Sequence, residues 1–139
     1  MSDRLVRIEA GPLVFAGALE RETVPRNVDH VLSLLPLQST ILQARWSGFA
    51  AWVPLDEATI DVPPENATAY PQPGQLLLYP GGVSPPEILV PYGATAFTSV
   101  AGPLAGNHFL TIVEGADRLP ELGRLVQWEG AQPVSFALA

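Results

Sequence analysis

The sequence predicts a mainly β protein whose sheet closes on itself and is capped by helices, and three observations carry that prediction. The stretch 75–115 holds three apolar runs, at 75–79, 87–92 and 107–113, separated by Pro-Gly, Gly-Gly and Ala-Gly breaks. Glycine supplies positive φ and proline pre-sets φ at turn entry, so these runs read as consecutive strands. They are apolar at successive positions, in a chain that is 47% hydrophobic and only 15% charged, which favours a compact barrel or sandwich over a disordered or coiled-coil chain. Finally, 139 residues suit one domain, 1–139, with a core that buries about two-thirds of the unfolded surface.

Taken in order, residues 4–9 alternate Leu5, Arg7 and Glu9 against Val6 and Ile8, and LVFAGAL (13–19) follows after Ala-Gly-Pro. This is a strand pair joined at 10–12. Arg4 and Arg7 ahead of the apolar run 11–19 mimic a signal peptide, but Asp3 and Glu9 interrupt the basic region and Gly11-Pro12 breaks the run, so a strand hairpin is the better reading. Val24, Val28, Val31, Leu32 and Leu35 then form one stripe at helical period, with Pro25 in the first turn and Pro36 as the stop, a helix over 24–35. His30 falls on the opposite face with Arg26 and Ser33, where a solvated surface histidine is expected.

Residues 37–55 read as two strands around Ser47-Gly48, with Trp46 and Trp52 as core or pocket wall. The segment 54–74 carries Pro54, Pro63, Pro64, Pro71 and Pro73 among carboxylates. Prolines cannot donate to a central ladder, so this is a surface excursion with at most one short edge strand. Its sequon Asn66-Ala67-Thr68 matters only in a secreted protein. After the central strands, 117–122 reads as a short helix ended by Gly123, and 124–128 and 133–138 as two last strands around the turn 129–131.

What is missing excludes several chemistries. There is no cysteine, hence no disulfide, thiolate metal site or cysteine nucleophile. All seven basic residues are arginine, which removes Schiff-base chemistry and the P-loop lysine. Two histidines, His30 and His108, are too few for an all-histidine metal site, which leaves only one histidine with carboxylates as a metal set; no metal and no cofactor are expected. A net charge of −7 repels nucleic-acid phosphates and anionic membranes, and no apolar run approaches the roughly 18 residues of a membrane-spanning helix. A cytoplasmic protein without nucleic-acid or membrane partners is the expectation.

Three segments together resemble the cyclophilin-like proteins: VPRNVDHVLSLL (24–35), QARWSGF (43–49) and FLTIVEGADRLPEL (109–122). The runs LLLYPGG, GNHFLTI and GAQ are similar to a family of uncharacterised bacterial cyclophilin-like proteins, shorter than true cyclophilins. The resemblance implies an eight-stranded closed β-barrel with helices at its ends, and no established activity. It places Arg45 where true cyclophilins hold the substrate proline carbonyl, and His108 near their active-site histidine. The Gln-Gly-Gly that follows the arginine strand in cyclophilins is replaced by AAWVPLD (50–56), which argues against full prolyl-isomerase chemistry.

Arg45 is therefore the first candidate: either an edge-strand arginine paired with a surface carboxylate, or a planar donor fork for a ligand carboxylate or amide. Trp46 adjoins it. His108 and Asn107 open a strand, and by alternation only one of them points inward. Tyr79, Tyr92 and Glu87 flank the stiff loop 80–86 and are either pocket wall or core and turn residues. Ser47 has no assignable base, and Gly-x-Ser-x-Gly is absent. The expected function is binding of a small polar molecule or short peptide near Arg45. Two alternatives are an enzyme for a small amide or carboxylate, residual prolyl isomerase included, and a homo-oligomerising interaction protein, a homodimer in the simplest case.

Overall fold

The computed structural model describes residues 5–139, so the expected strand start at Arg4 lies outside the described residues. In chain order it contains β1 (Val6–Ala10), β2 (Leu13–Leu19), α1 (Pro25–Leu34), β3 (Leu37–Gln43), β4 (Gly48–Pro54) and β5 (Ala67–Thr68). There follow β6 (Gln75–Tyr79), β7 (Glu87–Thr95), β8 (Thr98–Ser99), β9 (Gly102–Pro103) and β10 (Gly106–Glu114). A 3-10 turn (Ala116–Arg118) then runs into α2 (Leu119–Trp128), and β11 (Gln132–Leu138) ends the chain. Eight strands, in the order β2-β1-β11-β3-β4-β7-β6-β10, close through a β10–β2 pairing into an antiparallel barrel. Closure leaves no long free edge. No helix among the described residues is long and apolar enough to cross a membrane.

The barrel forms because alternate residues of each strand have one apolar interior to fill. In β1, Val6, Ile8 and Ala10 are buried while Arg7 and Glu9 are exposed, and in β2 Leu13, Phe15 and Leu19 point the same way. Phe15, Phe109 and Phe136 meet Leu76, Leu78 and Ile88 in the interior cluster. Val24, Val28 and Val31 of the α1 stripe join that cluster, with Leu32 and Leu35 packed on its margin, as the helical period requires. His30 departs from the expected solvated position: its side chain is only 24% exposed and its Nε2 lies 3.2 Å from Glu57 Oε1, because the excursion 54–74 folds back over the helix.

That excursion is tied down by polar contacts. Asn27 is fully buried; its Nδ2 donates to Pro63 O (3.1 Å) and Glu65 Oε1 (2.7 Å), and its Oδ1 accepts from Asn107 Nδ2 (2.9 Å). Helix α1 has no side-chain cap of its own. Glu65 supplies one from across the chain, accepting the Asn27 N–H at 3.0 Å where the helix leaves its first amides unsatisfied. Desolvation acts to raise the Glu65 carboxyl, but hydrogen bonds from the Asn27 side chain and from the Asn27 and Arg26 amides, with the Arg26 charge, outweigh it and hold the carboxyl below its usual range. β5, the expected short edge strand, pairs with Gly106 and Asn107 of β10.

The end of the chain differs from expectation. The helix read at 117–122 continues through Gly123 to Trp128, and residues 124–128, expected as a strand, are its last turns. Gly123 is a packing residue here, not a stop. A Cβ at this position would run into the ring of Tyr92, whose hydroxyl donates to Gln43 Oε1 (2.5 Å) and accepts from Gln127 Nε2 (2.6 Å). Missing bulk at Gly123 thus lets α2 settle on β7.

Gly123→Ala tests this contact. In an ordinary helix interior the change gains about 1 kcal/mol; here it is expected to lower the stability read from urea unfolding by about 1–3 kcal/mol through overpacking against Tyr92.

Candidate functional site

The wall made by β4, β7 and β6 is apolar on both faces. Ala51, Val53, Leu76, Leu78, Ile88 and Val90 fill the barrel interior, whereas the intervening Ala50, Leu77, Tyr79 and Leu89 belong to a second cluster with Phe97 and Leu104. Alternation places that second cluster on the outside of the wall. It is covered by the segment 96–104, which leaves β7 and forms the β8–β9 ribbon. Phe97 lies edge-on to Tyr79, with ring centroids 5.6 Å apart.

Ser47 joins this cover to the β3–β4 turn. Its buried hydroxyl donates to Thr98 O (3.2 Å) and accepts from Thr98 N–H (3.1 Å), and its carbonyl accepts from Ala96 N–H (3.1 Å). Gln43 shapes the same turn by donating from Nε2 to Ala44 O (3.0 Å) and Gly48 O (3.1 Å). Between turn, ribbon and outer wall lies a cavity of about 370 Å³, within the range of small-molecule sites.

Three of the expected residues meet in it: Arg45, Trp46 and Glu87. Arg45 lies in the bend between β3 and β4, not on an edge strand, and is exposed at the cavity rim. Trp46, beside it, is 56% exposed. Glu87 opens β7 between Pro54 and Tyr79 of the neighbouring strands, so it shares the outward face of Leu89. Among the described residues no hydrogen bond or ion pair engages either the Arg45 guanidinium or the Glu87 carboxyl, and the two do not reach each other. With no donor to offset it, burial pushes the Glu87 carboxyl up to about 7. Trp52, Phe97, Ser84 and Ser99 are among the other lining residues; of these only Trp52 stands out in the sequence.

The other candidates lie elsewhere. Tyr79 stands one layer behind the cavity, its ring against Phe97 and its hydroxyl accepting the Val83 and Ser84 N–H groups at 3.0 and 3.2 Å. Tyr92 points into the barrel beneath α2. Of the β10 pair it is Asn107 that turns inward, donating to Asn27 and accepting from Glu65 N–H at 3.1 Å. His108 is half-buried on the other side, outside the Arg45 cavity. Thr111 Oγ1 donates to Glu20 Oε2 (2.7 Å) and thereby accepts from His108 Nε2 (2.8 Å), leaving Nδ1 as the acceptor toward Asn66 Nδ2 (3.4 Å). No group of three or more His, Asp or Glu side chains placed to hold a metal ion occurs among the described residues.

Comparison with known proteins adds the fold and a family. Residues 6–138 match the family described as "Protein of unknown function (DUF3830)". No curated protein matches the chain. Among solved structures, that of McbB in complex with tryptophan is similar at 19% identity and a TM-score of 0.72 over 96% of this chain. The chain spans only 44% of McbB's length. The solution structure of the hypothetical protein AF2241 from Archaeoglobus fulgidus is similar at 19% identity and a TM-score of 0.66, covering 99% of this chain and 95% of that one. At these identities the likeness establishes the barrel fold alone.

The bare carboxyl has a thermodynamic consequence. The Glu87 pKa is raised from 4.5 to about 7 on folding, so its neutral form favours the folded state below the unfolded value, and that advantage is lost as pH rises through the folded value. Stability relative to Glu87→Gln is therefore expected to fall by about 3 kcal/mol between pH 4.5 and just above 7, read from paired urea titrations; a constant difference would contradict it.

Proposed function

We propose a function from the chemistry of the site itself, because the chain belongs to the DUF3830 family and that family's description assigns none. In this reading the protein binds a small polar molecule, or the end of a short peptide, in the cavity between Arg45 and Glu87. One observation carries it: a cation and a half-neutral carboxyl line the same cavity, and among the described residues none bonds to either. Buried polar groups are ordinarily paired, so the largely buried Glu87 carboxyl left bare, with the exposed Arg45 guanidinium at the rim of the same cavity, suits an added partner. McbB was solved with tryptophan, and a ligand of amino-acid size on a barrel of this fold accords with the reading.

The cyclophilin-like kinship belongs to the same proposal. It gives Arg45 the part of a carbonyl-binding arginine, but its companion His108 stands outside the cavity, so binding is favoured over prolyl isomerisation. In this reading the protein is a one-domain cytoplasmic binder, and a net charge of −7 favours partners other than nucleic acid and anionic membranes. A carboxyl near 7 also suits general acid–base work, which keeps an enzyme for a small amide or carboxylate at the same site as the second reading.

An interaction role is favoured by a different surface. Phe49 (55% exposed) and Trp128 (82% exposed) flank a shallow groove with Gly48 and Gln127, and exposed aromatics that adjoin are a common mark of association.

Two measurements check these readings. In a thermal-shift panel of small carboxylates, amides and short X-Pro peptides, saturation at a hundred times Kd is expected to add about 2.7 kcal/mol of stability. Arg45→Ala and Arg45→Lys should both lose the shift while folding unchanged, because lysine lacks the planar fork; a panel without any hit would sink the binding reading. Turnover of a hit, abolished in Glu87→Gln with binding retained, would mark the enzyme. For the interaction reading, sedimentation equilibrium should give a concentration-dependent mass that Trp128→Ser returns to that of a monomer.

A further inference from the structure

The bare charges differ in sign and sit apart, and this narrows what can satisfy both. Among the described residues Arg45 is the only cationic side chain in the cavity lining and Glu87 the only acidic one. Arg45 presents an unpaired guanidinium at the rim, a fork whose geometry matches a carboxylate held through two parallel N–H donors. Glu87 lies deeper, on the outer face of the sheet, where its backbone is fixed by Pro54 on one side and Tyr79 on the other. Nothing in the described chain donates to it.

A ligand with a carboxylate alone would pair Arg45 and leave Glu87 bare. A ligand with an amine alone would do the reverse. A ligand that covers the cavity takes water from the Glu87 carboxyl and from the part of the Arg45 guanidinium it shields, and a group so covered without a partner costs stability, so a molecule that carries both groups and no net charge satisfies both. Trp52, Phe97, Leu42 and Leu104 give the same cavity its apolar lining, and Trp46, next to Arg45 in the chain, adds an exposed ring. Such a lining stacks on an aromatic body, and the indole face of Trp46 also attracts a cation.

We infer that the ligand is a zwitterionic aromatic amino acid or a close analogue, its carboxylate on Arg45, its ammonium on Glu87 and its ring against Trp52 and Phe97. This rests on the binding reading above and specifies its ligand class. When the ammonium docks, the Glu87 carboxyl gives up its proton to solvent and becomes the counter-ion. The nitrogen keeps all its hydrogens, so one proton is released for each neutral carboxyl converted.

Isothermal titration calorimetry of the full chain with phenylalanine, 3-phenylpropionate and 2-phenylethylamine separates the contributions, since the last two each lack one charged group. Phenylalanine is expected to bind roughly tenfold or more tightly than either, the amount a charged hydrogen bond supplies. Arg45→Ala should reduce phenylalanine to the level of 2-phenylethylamine, and Glu87→Gln, an isosteric change, to that of 3-phenylpropionate. At pH 6 the heat of phenylalanine binding should differ between phosphate and Tris buffers, reporting the released proton, and the difference should vanish in Glu87→Gln. Equal binding of phenylalanine and 3-phenylpropionate overturns the amine assignment while the Arg45 site stands, whereas tighter phenylalanine binding that Glu87→Gln abolishes supports it, with proton release reporting only the charge of Glu87 before binding. Failure of all three probes overturns the amino-acid class; the broader panel with Arg45→Ala then decides whether the cavity binds any ligand at all.

Discussion

Covering the outer face of the β4–β7–β6 wall is the constraint on which the rest of this structure depends. Leu77 and Leu89 are fully buried although they point away from the barrel interior, and each contributes about 1.5–3 kcal/mol only if water is kept off that face. The chain meets this by sending 96–104 back across the wall, with Phe97 and Leu104 as the covering side chains. A segment that leaves the sheet must find new partners for its amides. Phe97 N–H therefore donates to Ala69 O (2.7 Å), Leu104 N–H to Phe97 O (2.9 Å) and Ala96 N–H to Ser47 O (3.1 Å). So short a ribbon cannot span the whole wall, and the space left between it, the β3–β4 turn and Glu87 is the cavity.

Hydrogen-bond satisfaction separates the polar residues that build the protein from those available to a ligand. Asn27, Asn107 and Glu65 form a closed network around the start of α1, and Ser47, Gln43 and Tyr92 are likewise engaged on both donor and acceptor sides. Networks of this kind fix geometry when complete and destabilise when a member is missing. His108, bonded through Thr111 to Glu20, belongs with them. Asn107 and His108 looked functional in the sequence because polar residues at a strand opening stand out; apart from Thr111, three positions from His108, the partners of the pair named here, Asn66, Glu65 and Asn27, lie 42 and more positions away and could not be seen there.

Much of the fold was legible because most strands obey simple rules. The alternation of 5–9, the turn at 10–12 and the stripe of α1 translate directly into structure. The consecutive leucines of β6 also read correctly as a strand, since both its faces are buried, although nothing local told what would cover the outer one. The second helix was misread through a single residue. Leu119, Leu122 and Val126 do fall at helical spacing and are buried, but a glycine among them reads as a stop unless the Tyr92 ring that occupies its missing side chain is known. The β8–β9 strands are two residues each, too short for any period to register, and so the cover of the wall was not foreseen.

The site itself was half legible for the same reason. Arg45 and Trp46 drew attention through their motif and Glu87 through its place beside the 80–86 loop, yet only the folding of the β3–β4 turn toward the start of β7 makes them neighbours. Tyr92 stands five positions after Glu87 along β7, so alternation sends one inward to α2 and the other out to the cavity. What no local pattern conveys is the contrast in satisfaction. A chain that completes the hydrogen bonds of Asn27, Asn107, Ser47 and Gln43 leaves Glu87 bare in a half-buried position, where its ionised form is disfavoured by burial alone. An apolar residue there would carry no such penalty, so the carboxyl stands at a cost to folding that no contact within the described residues offsets. That imbalance, and not any local sequence pattern, is what singles Glu87 out among the polar residues of the wall.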